Sequence, residues 1–308
     1  MHRYARGVVK PSPPADELDV TVVLPAYNEV GHVRAEVDRI TAAMKESPYS
    51  FEILVVDDGS TDGTGEAVEG LPFVRLLRFP VNRGSGTARR IGTSEAHGRY
   101  VAWTDADMTY PNERIPELID ILETGRAQQV VGARLSEEGT YKALRVPAKW
   151  GIRKLAEYLT QSKIPDLNSG LRAFSKDHAR PHLGLLPPGF SCVTTITLAF
   201  LANGLTVEYV PIDYRQRAGR SHFHPIKDAY RYTLQVVRMV TFFEPLRVFA
   251  PIALTLLLVG AGKVVWDLVA HPFRFQIAIN TILLLLTGLI LFSLGLLADL
   301  IVRVNRRE

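Results

Sequence analysis

The sequence of 308 residues predicts an α/β domain, with a mainly parallel sheet and helices on both faces, followed by a hairpin of two transmembrane helices. Up to about Thr241, short apolar β-branched runs alternate with helical patterns, which is typical of a parallel sheet. Most of these runs end in polar or glycine residues. Beyond Phe249 the chain is almost purely apolar, and two segments reach the roughly 20 residues that a membrane-spanning helix requires.

Composition excludes several classes of protein. Lys and Arg total 36 against 32 acidic residues, so the net charge of +4 is only mildly basic, and no dense charge run indicates nucleic acid. We therefore expect no nucleic-acid partner. The single cysteine, Cys192, excludes an internal disulfide and fits a reducing compartment.

The first 19 residues are polar and proline-rich and lack the apolar core of a signal peptide. We expect residues 1–19 to form a flexible N-terminal arm and residues 20–224 to form the α/β domain. Five strands are predicted within that domain, and Asp62 is placed to cap a helix after the second strand. The predicted strands are Val20–Leu24, Phe51–Val56, Val74–Arg78, Tyr100–Thr104 and Gln129–Gly132.

Polar side chains follow each of these strands. In parallel sheets the carboxyl ends of the strands meet at one rim, where ligands bind. Acids at such a rim suit a base, a ribose or a metal, and basic groups suit phosphates, so we expect a nucleoside diphosphate site. A redox dinucleotide is disfavoured because the first strand–helix turn lacks G-x-G-x-x-G, and a Walker A loop is absent too. The rim residues are Pro25, Tyr27, Glu29, Asp57, Asp58, Arg83, Gly84, Asp105, Asp107 and Arg134.

The pair Asp105 and Asp107, separated by Ala106, directly follows the fourth strand. Residues two apart in a strand share a face, where two carboxylates repel unless a divalent cation or a solvated turn neutralises them. Hard oxygen ligands of this kind suit Mg²⁺ or Mn²⁺. On this pattern alone, solvated turn acids are an equal alternative.

The apolar C-terminal region, residues 246–304, predicts spans at about 246–270 and 276–302. Two buried core helices are the alternative. Lys263 and Asp267 are four residues apart and can pair.

Residues 225–245 mix aromatic, aliphatic and basic side chains, which predicts an amphipathic helix at the membrane interface or, alternatively, one that packs on a partner. Basic residues flank the spans on the side of both termini, so the termini and the α/β domain are expected on the cytoplasmic face of the cell membrane. These residues are Lys227, Arg231, Arg238, Arg247, Arg303, Arg306 and Arg307.

Four motifs resemble those of the family 2 glycosyltransferases, which have the Rossmann-like GT-A fold. Within this family the chain is most similar to dolichol-phosphate mannose synthases and bacterial polyprenyl-phosphate glycosyltransferases. The likeness covers about residues 20 to 245, and the two spans fit the membrane-anchored bacterial branch. The motifs are Pro25-Ala-Tyr-Asn-Glu29, Val55-Val-Asp-Asp-Gly-Ser-Thr-Asp-Gly63, Asp105-Ala-Asp107 and Asn168-Ser-Gly-Leu-Arg172.

The resemblance implies roles for single residues in binding a GDP- or UDP-linked sugar. It places Asp105, Ala106 and Asp107 at the nucleotide and the metal, and Arg134 beside the phosphates. Thr109 stands where relatives often have a metal-binding Gln, so a hydroxyl or a water is expected to complete the Mg²⁺ or Mn²⁺ shell. The residues implied to hold the nucleoside are Pro25, Tyr27, Glu29, Val56 and Asp58.

A further loop of these relatives, R-x-x-G-x-S-K, corresponds to the segment from Arg215 to His222. His222 replaces the lysine, and Arg217 or His224 is the candidate for a compensating phosphate contact. Arg217 and His222, together with Gly84 at the rim, complete the expected nucleotide-sugar set.

Arg145, Lys149 and Arg153 recur every four residues and so share one helix face. A solvated basic face is the ordinary interpretation. The resemblance instead implies that Lys149 and Arg153 clamp the phosphate of a lipid acceptor, with Ser169 and Arg172 as supporting groups. Asp166 is a candidate for orienting the acceptor.

The resemblance as a whole implies an inverting transferase that moves a sugar from a nucleotide sugar to a dolichyl or undecaprenyl phosphate. The expected catalytic residues are Asp105, Asp107, Arg134 and Asp166. A transferase acting on another lipid or on a growing polysaccharide, and a catalytically silent membrane scaffold, are the alternatives. Homo-oligomeric assembly is left open.

Overall fold

In the computed structural model, one mixed sheet holds all seven strands of the described chain. The model describes residues 18–134, 153–154, 156–158, 160–189, 191–214, 244–270 and 277–305, together with positions 234, 237, 238, 241 and 242. The strand order is β3-β2-β1-β4-β6-β5-β7. The strands are β1 (Val20–Ala26), β2 (Phe51–Asp57), β3 (Val74–Arg78), β4 (Tyr100–Trp103), β5 (Gln129–Arg134), β6 (Arg172–Ser175) and β7 (Val207–Ile212).

The sheet is mainly parallel, as the sequence predicts. Strands β1 to β4 pair in parallel, and so do β5 and β7. Only β6 among the described strands runs antiparallel to its neighbours, β4 and β5. The register of β1 with β2 runs from Val20 opposite Phe51 to Ala26 opposite Asp57, so both strands end at the same level. The loops that follow them therefore meet at one edge of the sheet.

Seven helices with defined bounds and two short 3₁₀ segments, Asn112–Arg114 and Arg180–Leu185, accompany the sheet in the described residues. The helix expected after β2 is replaced by turns over residues 64–70. Asp62 does not cap a helix there but accepts hydrogen bonds from Thr64 and from the amide of Val30. The helices are α1 (Val33–Lys45), α2 (Ser85–Ser94), α3 (Ile115–Glu123), α4 (Lys176–Ala179), α5 (Cys192–Ala202), α6 (Pro245–Ala270) and α7 (Ile279–Asn305).

The core lies between the sheet and its helices. Every residue of β1 is buried, as expected for a central parallel strand whose two faces are both covered. Helix α1 contributes Val33, Val37, Ile40 and Met44 from a single face to this core. Each such side chain contributes about 1.5–3 kcal/mol by leaving water. This packing holds the strands in register, so their carboxyl ends stay together at one edge of the sheet.

The chain divides into two compact units, with the sheet and α1–α4 in the first and the α6–α7 hairpin in the second. Within the hairpin the two helices pack antiparallel, with Gly260 against Leu285 and Gly295 against Phe249. Only 11% of the apolar window of α6 and 17% of that of α7 is buried. Helices this exposed are not the core helices of a soluble domain, and their length and apolar surface suit a bilayer.

One polar cluster lies near the turn of the hairpin. The predicted pairing of Lys263 with Asp267 is confirmed by a 3.1 Å contact. Asp267 also accepts hydrogen bonds from the amide of Ala278 at 3.1 Å and the hydroxyl of Thr281 at 2.6 Å. These bonds join the end of α6 to the start of α7. The N-terminal arm before residue 18 and most of the expected interface helix at 225–245 lie outside the described residues.

Candidate active site

The loops after β1 and β2 are tied together at the sheet edge. The amide of Asn28 donates to Ser60 Oγ at 3.0 Å, and Asn28 Oδ1 accepts from the amide of Thr61 at 2.9 Å. Asn28 has a φ of 54°, a left-handed conformation that asparagine tolerates better than most residues. The amide of Glu29 donates to Thr64 Oγ1 at 2.9 Å. The first two motifs therefore form one rigid corner.

A cavity of about 450 Å³ opens at this edge. Most of the residues that line it lie at or after the carboxyl ends of the strands β1 to β5, as the sequence predicts for a binding rim. Nine of the residues expected at a nucleotide-sugar site lie there together. They are Pro25, Tyr27, Glu29, Asp58, Gly84, Asp105, Ala106, Asp107 and Arg134.

Val56 is the exception among the expected nucleoside contacts in the described chain. Its side chain is fully buried in β2 and packs against Gly92 of α2. A contact between this side chain and a nucleoside stays a prediction that its position does not support.

Asp58 holds the loop that begins α2. One carboxylate oxygen accepts from the amide of Arg83 at 2.7 Å, and the other accepts from the amide of Gly84 at 2.8 Å. Gly84 has a φ of 89°, and a Cβ there would lie 2.4 Å from the carbonyl oxygen of Pro188. Only glycine fits both the left-handed backbone and this close approach. The conformation of this loop at the cavity therefore requires glycine at position 84.

The paired acids are held by different partners. Asp105 Oδ1 forms an ion pair with the buried guanidinium of Arg89. Asp107 Oδ1 accepts from the hydroxyl of Thr109 at 2.6 Å and from its amide at 3.3 Å. Directly after Asp107, Met108 has a φ of 62°. A non-glycine residue in this region costs about 1–3 kcal/mol, and such strain is concentrated at functional sites.

Two tyrosines that the sequence analysis did not identify also line the cavity. The ring of Tyr214 lies 5.0 Å from that of Tyr110, and the guanidinium of Arg134 lies 5.3 Å from the centre of the Tyr214 ring. Burial raises the pKa of both phenols, so both stay protonated at neutral pH. The Tyr110 hydroxyl accepts a 2.7 Å hydrogen bond from the amide of Gly170. These rings provide a fixed support for Arg134.

The donor set fits a divalent cation that arrives with a diphosphate. Among the residues that the structure describes, no group of three or more His, Cys, Asp or Glu side chains is arranged to hold a metal. Asp105 and Asp107 supply two carboxylates at the cavity, and Mg²⁺ is commonly held by one or two carboxylates plus substrate phosphates and water. Thr109 is buried, and its hydroxyl is bonded to Asp107. Direct metal binding by Thr109 stays a prediction.

Ser169 and Arg172, two of the residues expected to support the acceptor, are not among the residues that line this cavity. Ser169 and Arg172 are fully buried, and the Arg172 guanidinium donates to the carbonyl oxygens of Ser169 and Val193. Direct phosphate binding by either stays a prediction that their burial does not support. Arg153 and Asp166 lie half-buried in the second unit, so their roles also stay predictions. Lys149, Arg217, His222 and His224 lie outside the described residues.

The fold and the cavity define an α/β protein with a candidate nucleotide site at the carboxyl ends of its strands and an apolar C-terminal hairpin. The chain belongs to glycosyl transferase family 2, whose model matches residues 21–182, more than half of the sequence. A second family model, the GtrB C-terminal hairpin, matches residues 244–304.

Two curated relatives come from Haloferax volcanii. A low-salt glycan biosynthesis hexosyltransferase is 28% identical over 221 residues, which cover 69% of this chain and 52% of the relative. A dolichyl-phosphate hexose transferase is 29% identical over 211 residues, which cover 67% of this chain and 87% of the relative. The chain spans about half the length of the first of these relatives and of several others that it matches.

A solved structure has the same fold. Glucosyl-3-phosphoglycerate synthase from Mycobacterium tuberculosis, solved with Mn²⁺, uridine diphosphate and glucosyl-3-phosphoglycerate, matches with a TM-score of 0.56. The identity is 22%, and the match covers 73% of this chain and 79% of that one. This likeness confirms the expected GT-A architecture of the sheet domain.

Proposed function

We propose that this protein is a membrane-anchored glycosyltransferase that moves a hexose from a nucleoside diphosphate sugar to a polyprenyl phosphate. One observation carries the proposal: nine residues expected at a nucleotide-sugar site line a single cavity with paired carboxylates and a guanidinium. Membership of glycosyl transferase family 2 supports the same reaction class.

The donor is proposed to lie along the cavity from Tyr27 to Arg134. Tyr27 is 47% exposed, and its ring is proposed to offer an aromatic face on which a base stacks. Arg134, held over the Tyr214 ring, is placed to attract the diphosphate. A bound Mg²⁺ or Mn²⁺ supported by Asp107 would neutralise the charge that develops on the departing diphosphate.

The acceptor is proposed to be a lipid phosphate. The names of curated relatives and the charge of a phosphate monoester at neutral pH both support this acceptor. Two curated relatives are named dolichyl-phosphate hexose transferase and undecaprenyl-phosphate 4-deoxy-4-formamido-L-arabinose transferase. The two apolar helices that the hairpin model matches support an anchor in the membrane that contains such a lipid. A phosphate monoester has a second pKa of about 6, so it is already an anionic nucleophile at neutral pH. A strong protein base is therefore unnecessary.

In the proposed reaction an acceptor phosphate oxygen attacks the anomeric carbon from the face opposite the diphosphate. The new bond joins this oxygen to the carbon, while the bond to the diphosphate oxygen breaks and its electron pair leaves with the nucleoside diphosphate. In-line displacement of this kind inverts the anomeric configuration. Asp166 is proposed to orient the acceptor, with Lys149 and Arg153 on its phosphate.

The catalytic domain and both termini are proposed to lie on the cytoplasmic side. Basic residues flank the two spans on that side, and the connection between the spans has a single arginine, Arg274. Protease protection of sealed vesicles tests this topology. A catalytic domain protected inside right-side-out vesicles and cleaved in inverted ones agrees with the proposal, and the reverse pattern contradicts it.

Membranes that contain the full chain should be incubated with labelled UDP- and GDP-hexoses, Mg²⁺ or Mn²⁺, and either undecaprenyl or dolichyl phosphate. We expect label in an acid-labile glycosyl phosphate lipid with at least one donor. Transfer to a lipid that lacks a phosphate, or to a polymer, would contradict the proposed acceptor. Label in no product with any donor would contradict the proposed reaction.

A further inference from the structure

Arg89 stands out because its charged side chain lies on the buried side of α2. The residue is 1% exposed, and its neighbours on the same helix, Ala88 and Gly92, are also buried. Its guanidinium forms an ion pair with Asp105 Oδ1 behind the cavity and lies 5.8 Å from the centre of the Trp103 ring. It therefore contacts the first of the paired acids from the protein interior.

The second carboxylate oxygen of Asp105, Oδ2, is also in close contact with the protein. A Cβ at Gly170 would lie 2.7 Å from Asp105 Oδ2, so the backbone of Gly170 packs directly against the carboxylate. The Asp105 side chain is 27% exposed and lines the cavity. Arg89 and Gly170 together fix the orientation in which Asp105 faces a ligand.

Stability alone does not account for a guanidinium at this position. Arg89 Nε and Nη1 have no oxygen or nitrogen partner at hydrogen-bond distance in the part of the chain that the structure describes. A buried ion pair is often no more stabilising than well-packed apolar side chains of the same volume, because both charges lose their hydration. A buried guanidinium that contacts a carboxylate of the cavity indicates a role in holding that carboxylate.

The charges at the cavity suggest what that role is. Among the described lining residues, Glu29, Asp58, Asp105 and Asp107 carry carboxylates, whereas Arg134 carries the one positive charge. Such a cavity attracts a divalent cation but repels a diphosphate. Arg89 lies outside the lining and cancels the charge of the carboxylate that it contacts.

We propose that Arg89 is a positioning residue: it orients Asp105 and offsets its charge, so that the site binds a diphosphate together with a cation rather than the cation alone. This inference rests on the proposed function, since it assumes a nucleoside diphosphate in this cavity. It extends the site to a residue that touches neither the sugar nor the metal.

Two variants separate the effect of the Arg89 charge from the effect of its hydrogen bond. Arg89→Lys keeps the positive charge, and Arg89→Gln keeps a hydrogen-bond donor without the charge. The full chain in detergent should be titrated with Mn²⁺ alone and then with UDP or GDP at saturating Mn²⁺. We expect Arg89→Gln to weaken nucleotide binding about tenfold, as for the loss of one charged contact. Arg89→Lys should stay within about threefold of wild type.

Binding of Mn²⁺ alone provides the readout that a structural role would not produce. We expect Arg89→Gln to bind Mn²⁺ as tightly as wild type or more tightly, because Asp105 no longer has a positive charge beside it. Equal weakening of Mn²⁺ and nucleotide, or no weakening of nucleotide, would overturn the inference. If wild type itself binds neither nucleotide with Mn²⁺, the proposed function fails instead.

Arg75→Gln is the matched control. Arg75 donates to the buried carboxylate of Glu52 at 2.9 and 3.1 Å, on the same sheet but outside the cavity lining. We expect this variant to lose thermal stability without a change in either titration. A loss of nucleotide binding in Arg75→Gln as large as in Arg89→Gln would assign both effects to general destabilisation and overturn the inference.

Discussion

The hydroxyl of Thr109 donates a 2.6 Å hydrogen bond to Oδ1 of Asp107, and the backbone amide of Thr109 lies 3.3 Å from the same oxygen. Both contacts close a short turn around Met108, whose φ is 62°. Thr109 therefore supports the second acid of the pair from within the chain.

The first prediction follows from this hydrogen bond. Thr109→Val keeps the side-chain shape but removes the donor, so Asp107 loses its fixed orientation. Partners of metal-binding carboxylates commonly contribute 10- to 100-fold to metal affinity, and we expect the Mn²⁺ concentration for half-maximal transfer to rise about tenfold. Thr109→Ser retains the hydroxyl and should stay close to wild type. An unchanged Mn²⁺ requirement in Thr109→Val would contradict this role.

The second prediction concerns the expected acceptor clamp. The double variant Lys149→Ala with Arg153→Ala should raise the KM for the lipid phosphate at least about tenfold more than the KM for the nucleotide sugar, since charged contacts contribute about 1.5–3 kcal/mol each. Initial rates at varied concentrations of each substrate measure both constants. Lys154→Ala is the control, because Lys154 is exposed and pairs with Glu157 at 2.7 Å. Equal increases in both KM values would show that the two residues form a solvated basic face.

The third prediction is a pH dependence from Glu36, which is fully buried in α1. Burial raises the pKa of its carboxyl above the ordinary value of 4.5, despite a 2.5 Å hydrogen bond from Asn112 and the nearby charge of Arg39. Between pH 4.5 and the higher pKa of the folded state, the folded protein therefore keeps a proton that the unfolded chain has released. The stabilising contribution of this group is therefore complete below that pH and is lost as the pH rises through the folded pKa.

Glu36→Gln mimics the protonated carboxyl and should flatten this dependence. At neutral pH we expect the Glu36→Gln variant to be as stable as wild type or more stable, because Oε2 of Glu36 is buried without a hydrogen-bond partner among the described residues. Thermal unfolding of the full chain in detergent at a series of pH values measures the difference. A gap between variant and wild type that does not change with pH would rule out the titration of Glu36.

The fourth prediction concerns the loop before α2. Gly84→Ala forces a side chain into a left-handed backbone and toward the carbonyl oxygen of Pro188, so we expect a loss of about 1–3 kcal/mol of stability and weaker nucleotide binding. Thermal unfolding and nucleotide titration measure the two effects. Gly184→Ala is the control, because a Cβ there meets no atom within 4 Å. Wild-type behaviour of Gly84→Ala would show that this loop tolerates a side chain.

Sequence patterns predicted β1 to β5 because each is a short apolar run with a polar end, and they predicted the cavity because parallel strands end at one edge. They did not predict β6, which begins at Arg172. The family resemblance implied a phosphate contact for Arg172, but the strand inserts between β4 and β5 through pairings of long sequence separation. Local patterns contain no signal for such pairings.

The same limitation explains the residues that the sequence analysis missed. Arg89 reads as a surface arginine in a polar helix, and only the packing of α2 on the sheet shows that its side chain faces Asp105. Tyr214 follows β7, which the alternation of the first five strands did not reveal.

The central claim is that the paired acids support transfer of a sugar to a lipid phosphate. Asp107→Asn tests it most directly, in membranes supplied with the labelled nucleotide sugar that wild type uses, Mn²⁺ and undecaprenyl phosphate. We expect glycosyl phosphate lipid from wild type and a loss of at least about 10²-fold from the variant, with thermal unfolding unchanged. Transfer by Asp107→Asn at the wild-type rate would contradict the account.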